Sequence, residues 1–217
     1  VLPPLLFGYL LTVFPRWFNL PALTKWHYLP IGLGLLGGQL VLLVGLFGYP
    51  HMVLIGLFQI TAGWIAGLII LFNVYLNAKQ TTWHAISMLV ALALGLIGIL
   101  LVISYGWSGN AELMFAAIKL GTFALLLPIY FTVCHRMLPF FASCVLKDYR
   151  VYRPMWSLAL FWVLALIHLG LEIAHLNAWL WLPDSVLIWL SIHLLWHWWP
   201  RESVPALMKV LLLGFAW

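Results

Sequence analysis

Apolar residues run along this chain in near-continuous stretches of about 20, without the alternation of apolar and polar positions that marks a barrel strand. Read between breakers, the pattern predicts helices over Val1–Phe14, Tyr28–Phe47, Met52–Leu76, Thr82–Ser104, Glu112–Cys134, Pro154–His175, Leu180–Trp198 and Val204–Trp217. The first and last of these are partial. The closing run, Ala206 to Trp217, is too short to cross a bilayer of about 30 Å at about 1.5 Å per residue. The chain opens with Val1 and Leu2, without an initiator Met or a basic leader ahead of the first apolar run. Both observations lead us to expect one transmembrane domain over residues 1–217 that is a fragment of a longer protein.

The connections sort the basic residues. The first holds Arg16 and Lys25, the third Lys79, the fifth Arg136, Lys147, Arg150 and Arg153, and the seventh Arg201, while the second, fourth and sixth hold none. Excess Lys and Arg marks cytoplasmic loops, so this alternation predicts single crossings with the odd connections in the cytoplasm and the residue-1 end outside. Trp26, Trp83, Trp107, Trp179, Trp181, Trp198 and Trp199 fall at run ends, where amphipathic rings settle at an interface. The longest predicted connection, His135 to Arg153, is basic and aromatic and is expected to lie along the cytoplasmic surface.

Composition agrees with that pattern. Hydrophobic residues make up 65% of the chain and charged residues 7%, against roughly 25% charged in a soluble domain. Only hydrocarbon accommodates so much apolar surface, and it demands that backbone groups satisfy one another within helices or a closed barrel. The fold class expected is therefore all-α: a polytopic integral membrane bundle of about eight helices, with the lipid bilayer as its first partner. The net charge of +5 is accounted for by topology and gives no ground for a nucleic-acid partner. Cys134 and Cys144 make no disulfide framework or zinc motif and are read as reduced thiols.

Ionisable groups within hydrocarbon cost about 2.5–3.5 kcal/mol each on insertion scales, so they mark where function is sought. In HLGLEIAH, spacings of four and three put His168, Glu172 and His175 on one face of the sixth helix. Such a group suits a metal ion, a haem iron or a proton relay, or else an interhelical hydrogen-bond cluster. In SIHLLWHWW, His193 and His197 form an i, i+4 pair able to present two imidazoles to one metal. No Glu follows the first His, which argues against hydrolytic zinc chemistry, and His193 is the deeper and better ligand of the two. In TVCHRMLPFF, Pro139 is expected to end the helix near Cys134, leaving His135 and Arg136 at a helix terminus. An imidazole and a guanidinium there suit a haem iron and its propionate. Periodicity alone favours a plainer role, a cation meeting the last carbonyls and lipid phosphates. His84 is a further candidate axial ligand, or an ordinary interfacial residue beside Trp83. His27 and His51 read as solvated, Lys119 as snorkelling to the interface, and Gln59 and Asn73 as polar links between helices. The small residues of GLGLLGGQ, Gly32 to Gln39, read as a close packing face.

GYLLTVFPRW, Gly8 to Trp17, and TVCHRMLPFF, Thr132 to Phe141, resemble phrases of the NnrS family, bacterial membrane proteins that contain haem and copper. The first keeps Gly8, Leu10, Leu11, Thr12, Pro15 and Trp17 of a phrase like GFLLTAVPNW; the second keeps Cys134, His135, Arg136, Met137, Pro139, Phe140 and Phe141 of one like VCHRMIPFF. The spacing between them and the closing KVLLLGFAW also match, so the resemblance runs through nearly the whole chain. A His- and Glu-containing phrase before the first motif and a HALT-type segment after the last residue are missing, in keeping with a fragment. The resemblance implies a protein of the bacterial inner membrane that binds haem and copper, associated with denitrification and resistance to nitric oxide and nitrosative stress. It also raises the standing of His135 and Arg136 as haem residues, with nitric oxide or a related small molecule as partner. Two readings from other classes stand beside it. One is a proton- or metal-ion-coupled transporter working through His168, Glu172 and His175; the other is a structural subunit whose histidines make packing hydrogen bonds.

Overall fold

A computed structural model describes residues 2–80, 82–146, 149–202 and 204–216. The predicted helix ends at Val1 and Trp217, and the basic Lys147, lie outside the described residues. Helices occupy Leu2–Trp17 (α1), Lys25–Leu46 (α2), Pro50–Leu76 (α3), Trp83–Ser108 (α4), Ala111–Val145 (α5), Met155–Ile173 (α6), Trp181–Trp198 (α7) and Ala206–Ala216 (α8), with no strand among the described residues. Six helical stretches are long and apolar enough to cross a membrane, α2 to α6 and Asn177–Trp198, which includes α7. The chain is a polytopic helical membrane protein. Its backbone clusters into two compact units, residues 1–121 and 122–217, divided within α5.

In the first unit, α2 and α3 approach backbone to backbone. A Cβ on Gly38 would stand 2.7 Å from the Gly56 carbonyl oxygen, and one on Gly56 would stand 2.6 Å from the Gly38 carbonyl oxygen and the Leu42 nitrogen. Gly34 and Gly63 are in the same relation one turn further along. Lipid tails are as apolar as leucine, so helices gain by close van der Waals contact, and only small residues permit it. The predicted packing face of GLGLLGGQ is thus present. Leu33–Gly37 winds as a π-helical turn within α2, and Gln59 Nε2 from α3 donates to the Leu33 carbonyl at 3.1 Å. Trp64 on α3 donates its indole N–H to the Leu92 carbonyl of α4 at 2.9 Å and meets the Phe7 ring edge-on at 5.1 Å. The α4 helix is capped by Thr82 at its start and stopped by Gly109, whose φ of +65° a side chain would resist.

In the second unit, α5 runs on to Val145 instead of ending near Cys134, and the predicted connection from His135 to Arg153 shrinks accordingly. Pro139 sits inside the helix, where it withholds a single hydrogen bond, that to the His135 carbonyl. The buried stripe His135, Leu138, Pro139 and Ala142 keeps the i, i+3, i+4, i+7 spacing straight through the proline, so packing outweighs the one lost bond. Leu158 and Phe161 of α6, Leu190, Leu194 and Trp198 of α7, and Met208 of α8 close the core over that stripe. Trp198 is another correction. It is fully buried, whereas Trp26, Trp83, Trp107, Trp179, Trp181 and Trp199 are exposed at run ends as a belt requires.

Candidate functional site

Histidines of α5 and α7 gather around the connection between α5 and α6. His135 is fully buried, its ring near the Phe131 ring at 6.1 Å and the Trp198 ring at 6.0 Å. Its Nε2 lies 3.2 Å from the Pro154 carbonyl and 3.0 Å from the Ser157 hydroxyl oxygen. A carbonyl only accepts, so Nε2 carries the proton and donates. Pro154 and Ser157 form the start of α6, so His135 ties the entry of that helix to the middle of α5. The Trp198 indole donates to the Tyr152 carbonyl at 2.9 Å and the Tyr149 hydroxyl donates to the Trp198 carbonyl at 3.4 Å. Burial pushes the Tyr149 phenol above its ordinary pKa.

Tyr152 connects this anchor to the i, i+4 pair. Its ring stacks on His197 at 4.3 Å, and its hydroxyl lies 3.1 Å from His193 Nε2. The two imidazoles stand 4.4 Å apart between centroids, and Trp189 and Trp156 flank His193 at 5.3 and 5.8 Å. His197 Nδ1 donates to the His193 carbonyl at 2.8 Å. That fixes the proton on Nδ1 and leaves the lone pair on Nε2, the arrangement by which a backbone carbonyl orients a metal-binding imidazole.

Elsewhere in the unit, His168 on α6 is buried, with Phe123 stacked on it at 4.0 Å. Its Nδ1 meets Asp184 Oδ1 of α7 at 2.6 Å, and its Nε2 faces Glu172 Oε1 at 3.8 Å. The structure brings His168 and Glu172 together as predicted but leaves His175 outside. Helix α6 stops at Ile173, and His175, with φ of +55°, takes the left-handed stop position. Its N–H bonds back to the Glu172 carbonyl at 3.0 Å and that of Leu176 to the Leu171 carbonyl at 2.8 Å, the pairing of a Schellman cap. The His175 side chain is exposed. Arg136 is half-buried on α5, Cys134 and Cys144 are free, and His84 is buried in the first turn of α4 in the first unit.

Sequence reading missed Asp184, Tyr152 and Ser157. Asp184 in WLPDSV has the look of a first-turn acid, placed for the helix dipole, and that ordinary role hid it. Tyr152 and Ser157 act through contacts 41 and 22 residues away, which no local spacing reveals.

The donor set decides which metal groups fit. His135 Nε2 is committed to Pro154 and Ser157, so in this arrangement it is not offered to an iron. His197 Nε2 keeps its lone pair, His193 Nε2 faces a hydroxyl that a stronger ligand can displace, and aromatic rings wall the site. Among the described residues no group of three or more His, Cys, Asp or Glu surrounds a single point. A closed structural zinc site needs four protein ligands, whereas a haem brings its own four nitrogens and asks only for axial ones. One imidazole of the His193 and His197 pair therefore suits an axial position on a haem iron, and the two together suit a copper ion with Tyr152 beside them; two imidazoles one turn apart on one helix cannot take opposite faces of the same haem.

These features define a polytopic α-helical membrane protein with imidazoles held among aromatic rings inside its spans. The family model for NnrS protein matches residues 1–217, the whole chain, and the chain belongs to the NnrS family. No curated protein and no solved structure matches it significantly.

Proposed function

We propose that this protein binds haem, and copper besides, in the bacterial inner membrane and acts in the response to nitric oxide and in resistance to nitrosative stress. Membership of the NnrS family supports the reading. The observation that carries it is the His193 and His197 pair, with the His197 tautomer fixed so that Nε2 faces outward from its backbone partner. A bound haem would supply an iron able to ligate nitric oxide; the chain's own part is to hold the imidazoles and place Trp156, Trp189 and Tyr152 beside them. Arg136 is the guanidinium proposed for a propionate.

The test is the reduced-minus-oxidised visible spectrum of the purified full-length protein and three variants. A Soret band is expected in the parent, lost or shifted in His193→Ala and His197→Ala, and retained in His135→Ala, whose imidazole serves the helix entry. Well-folded parent protein without a Soret band overturns the haem reading. A second reading, a proton- or metal-ion-coupled transporter, is favoured by the carboxylates against both ring nitrogens of His168. It predicts transport in vesicles by protein that carries no haem.

A further inference from the structure

We infer that Asp184, His168 and Glu172 form a proton relay leading from the α6–α7 turn into the second unit. The inference stands apart from haem binding, because it uses none of the residues proposed to hold that group. Its basis is a gradient of exposure along a chain of proton carriers. The Asp184 side chain is 44% exposed, while those of His168 and Glu172 are 8% and 12% exposed. An exposed acid in the first turn of α7 is thus joined through one imidazole to a buried acid on α6.

An imidazole can receive a proton at one ring nitrogen and release one from the other, and does so near neutral pH. Here each ring nitrogen faces its own carboxylate, Nδ1 toward Asp184 at 2.6 Å and Nε2 toward Glu172 at 3.8 Å. The ring is held in that orientation by Phe123, stacked at 4.0 Å. The transfer balances without any co-reactant. With the ring proton on Nε2, protonated Asp184 gives its proton to Nδ1 across the 2.6 Å hydrogen bond, and Nε2 releases its own to the Glu172 carboxylate once that side chain closes the 3.8 Å gap to hydrogen-bond distance. The ring is neutral before and after, with its proton now on Nδ1; the reverse transfer, Glu172 to Nε2 and Nδ1 to Asp184, resets it.

The surroundings restrict what else the cluster does. Among the described residues, the groups facing His168 are Glu172 from its own helix, Asp184 from α7 and the uncharged Phe123 from α5. The short turn Asn177–Trp179 beside α6 has no titratable side chain, and His175 is exposed beyond the helix end. The two carboxylates face opposite nitrogens of the ring and do not converge on one point, and no metal-holding group of three His, Cys, Asp or Glu is found among the described residues. The count of basic residues puts this turn on the outer face, so the relay would draw protons from outside.

Time-resolved infrared difference spectra after a pH jump, on the full chain in lipid nanodiscs, test the relay. A protonated-carboxyl band is assigned to Glu172 by its loss in Glu172→Gln. Asp184→Asn is expected to slow the appearance of that band about 100-fold, in the range of a lost proton-transfer partner, with the rate restored by a small diffusible acid. His168→Gln is expected to slow it as much and to be restored by added imidazole. Circular dichroism checks that each variant is folded. Unchanged rates in folded Asp184→Asn, or no Glu172 band at any pH, overturns the relay. So does saturable Zn²⁺ binding that Glu172→Gln abolishes, which would make the cluster a metal site.

Discussion

The α2–α3 seam of the first unit and the α5–α6–α7 core of the second meet the same requirement by opposite means. At the seam, side chains are removed: Gly34, Gly38, Gly56 and Gly63 let two backbones touch. In the core, side chains are large and polar at the tip: Trp198, Tyr152, His135 and His193 fill the space and tie loops to helices through hydrogen bonds. Lipid offers no hydrophobic drive for either, so each draws on what remains, dispersion in one and polar pairing in the other. Only the second leaves imidazole nitrogens within reach of a ligand. The seam is scaffold, and the core is where chemistry is sought.

Truncating Trp198 tests that contrast most severely. The ring is fully buried, packs on Phe215 at 5.0 Å and holds the Tyr152 carbonyl at 2.9 Å. Trp198→Ala is expected to cost about 3–5 kcal/mol, read as a lowered midpoint in denaturant titration of reconstituted protein. The neighbouring Trp199, 47% exposed, serves as the control, with Trp199→Ala changing little. Equal effects from the two would mean that the buried ring does not organise the core.

Filling the seam comes next. Gly56→Val places a Cβ 2.6 Å from the Gly38 carbonyl oxygen and the Leu42 nitrogen, backbone atoms that cannot step aside. The cost expected is about 1–3 kcal/mol, seen in the same titration. Gly8, whose added Cβ would meet nothing within 4 Å, should accept Ala with little loss. If both positions tolerate substitution, the close approach of α2 and α3 contributes little to stability.

How much of this was legible beforehand follows from the range of each signal. The eight helices and the packing role of Gly32 to Gln39 were readable because apolar runs and small-residue stripes are local. The end of α5 was misjudged because Pro139 is a local stop signal, overruled by a buried stripe that only the facing helices make worthwhile. The predicted group His168, Glu172 and His175 kept its first two members and gained Asp184 from another helix. Helical periodicity places residues on one face only while the helix lasts, and α6 stops two residues before His175. Trp198 and Trp199 are indistinguishable by sequence, yet one is core and the other belt, since adjacent positions on a helix end face about 100° apart.

The smallest effect expected lies at a side-chain hydrogen bond across the seam. Gln59 Nε2 reaches the Leu33 carbonyl at 3.1 Å, at the start of the π-helical turn Leu33–Gly37. A π turn redirects the backbone bonding of its neighbours, and the amide supplies a donor to the carbonyl at its start. Interhelical hydrogen bonds in membranes average about 0.6 kcal/mol, because the separated helices find other partners. Gln59→Leu, close in volume and lacking the donor, should cost about that much and leave the helices paired, since glycine contacts carry the seam. A loss of several kcal/mol would instead make the amide the organiser of α2, with the π turn dependent on it; infrared detection of a weakened Leu33 carbonyl bond, by isotope label at that residue, would separate the two cases.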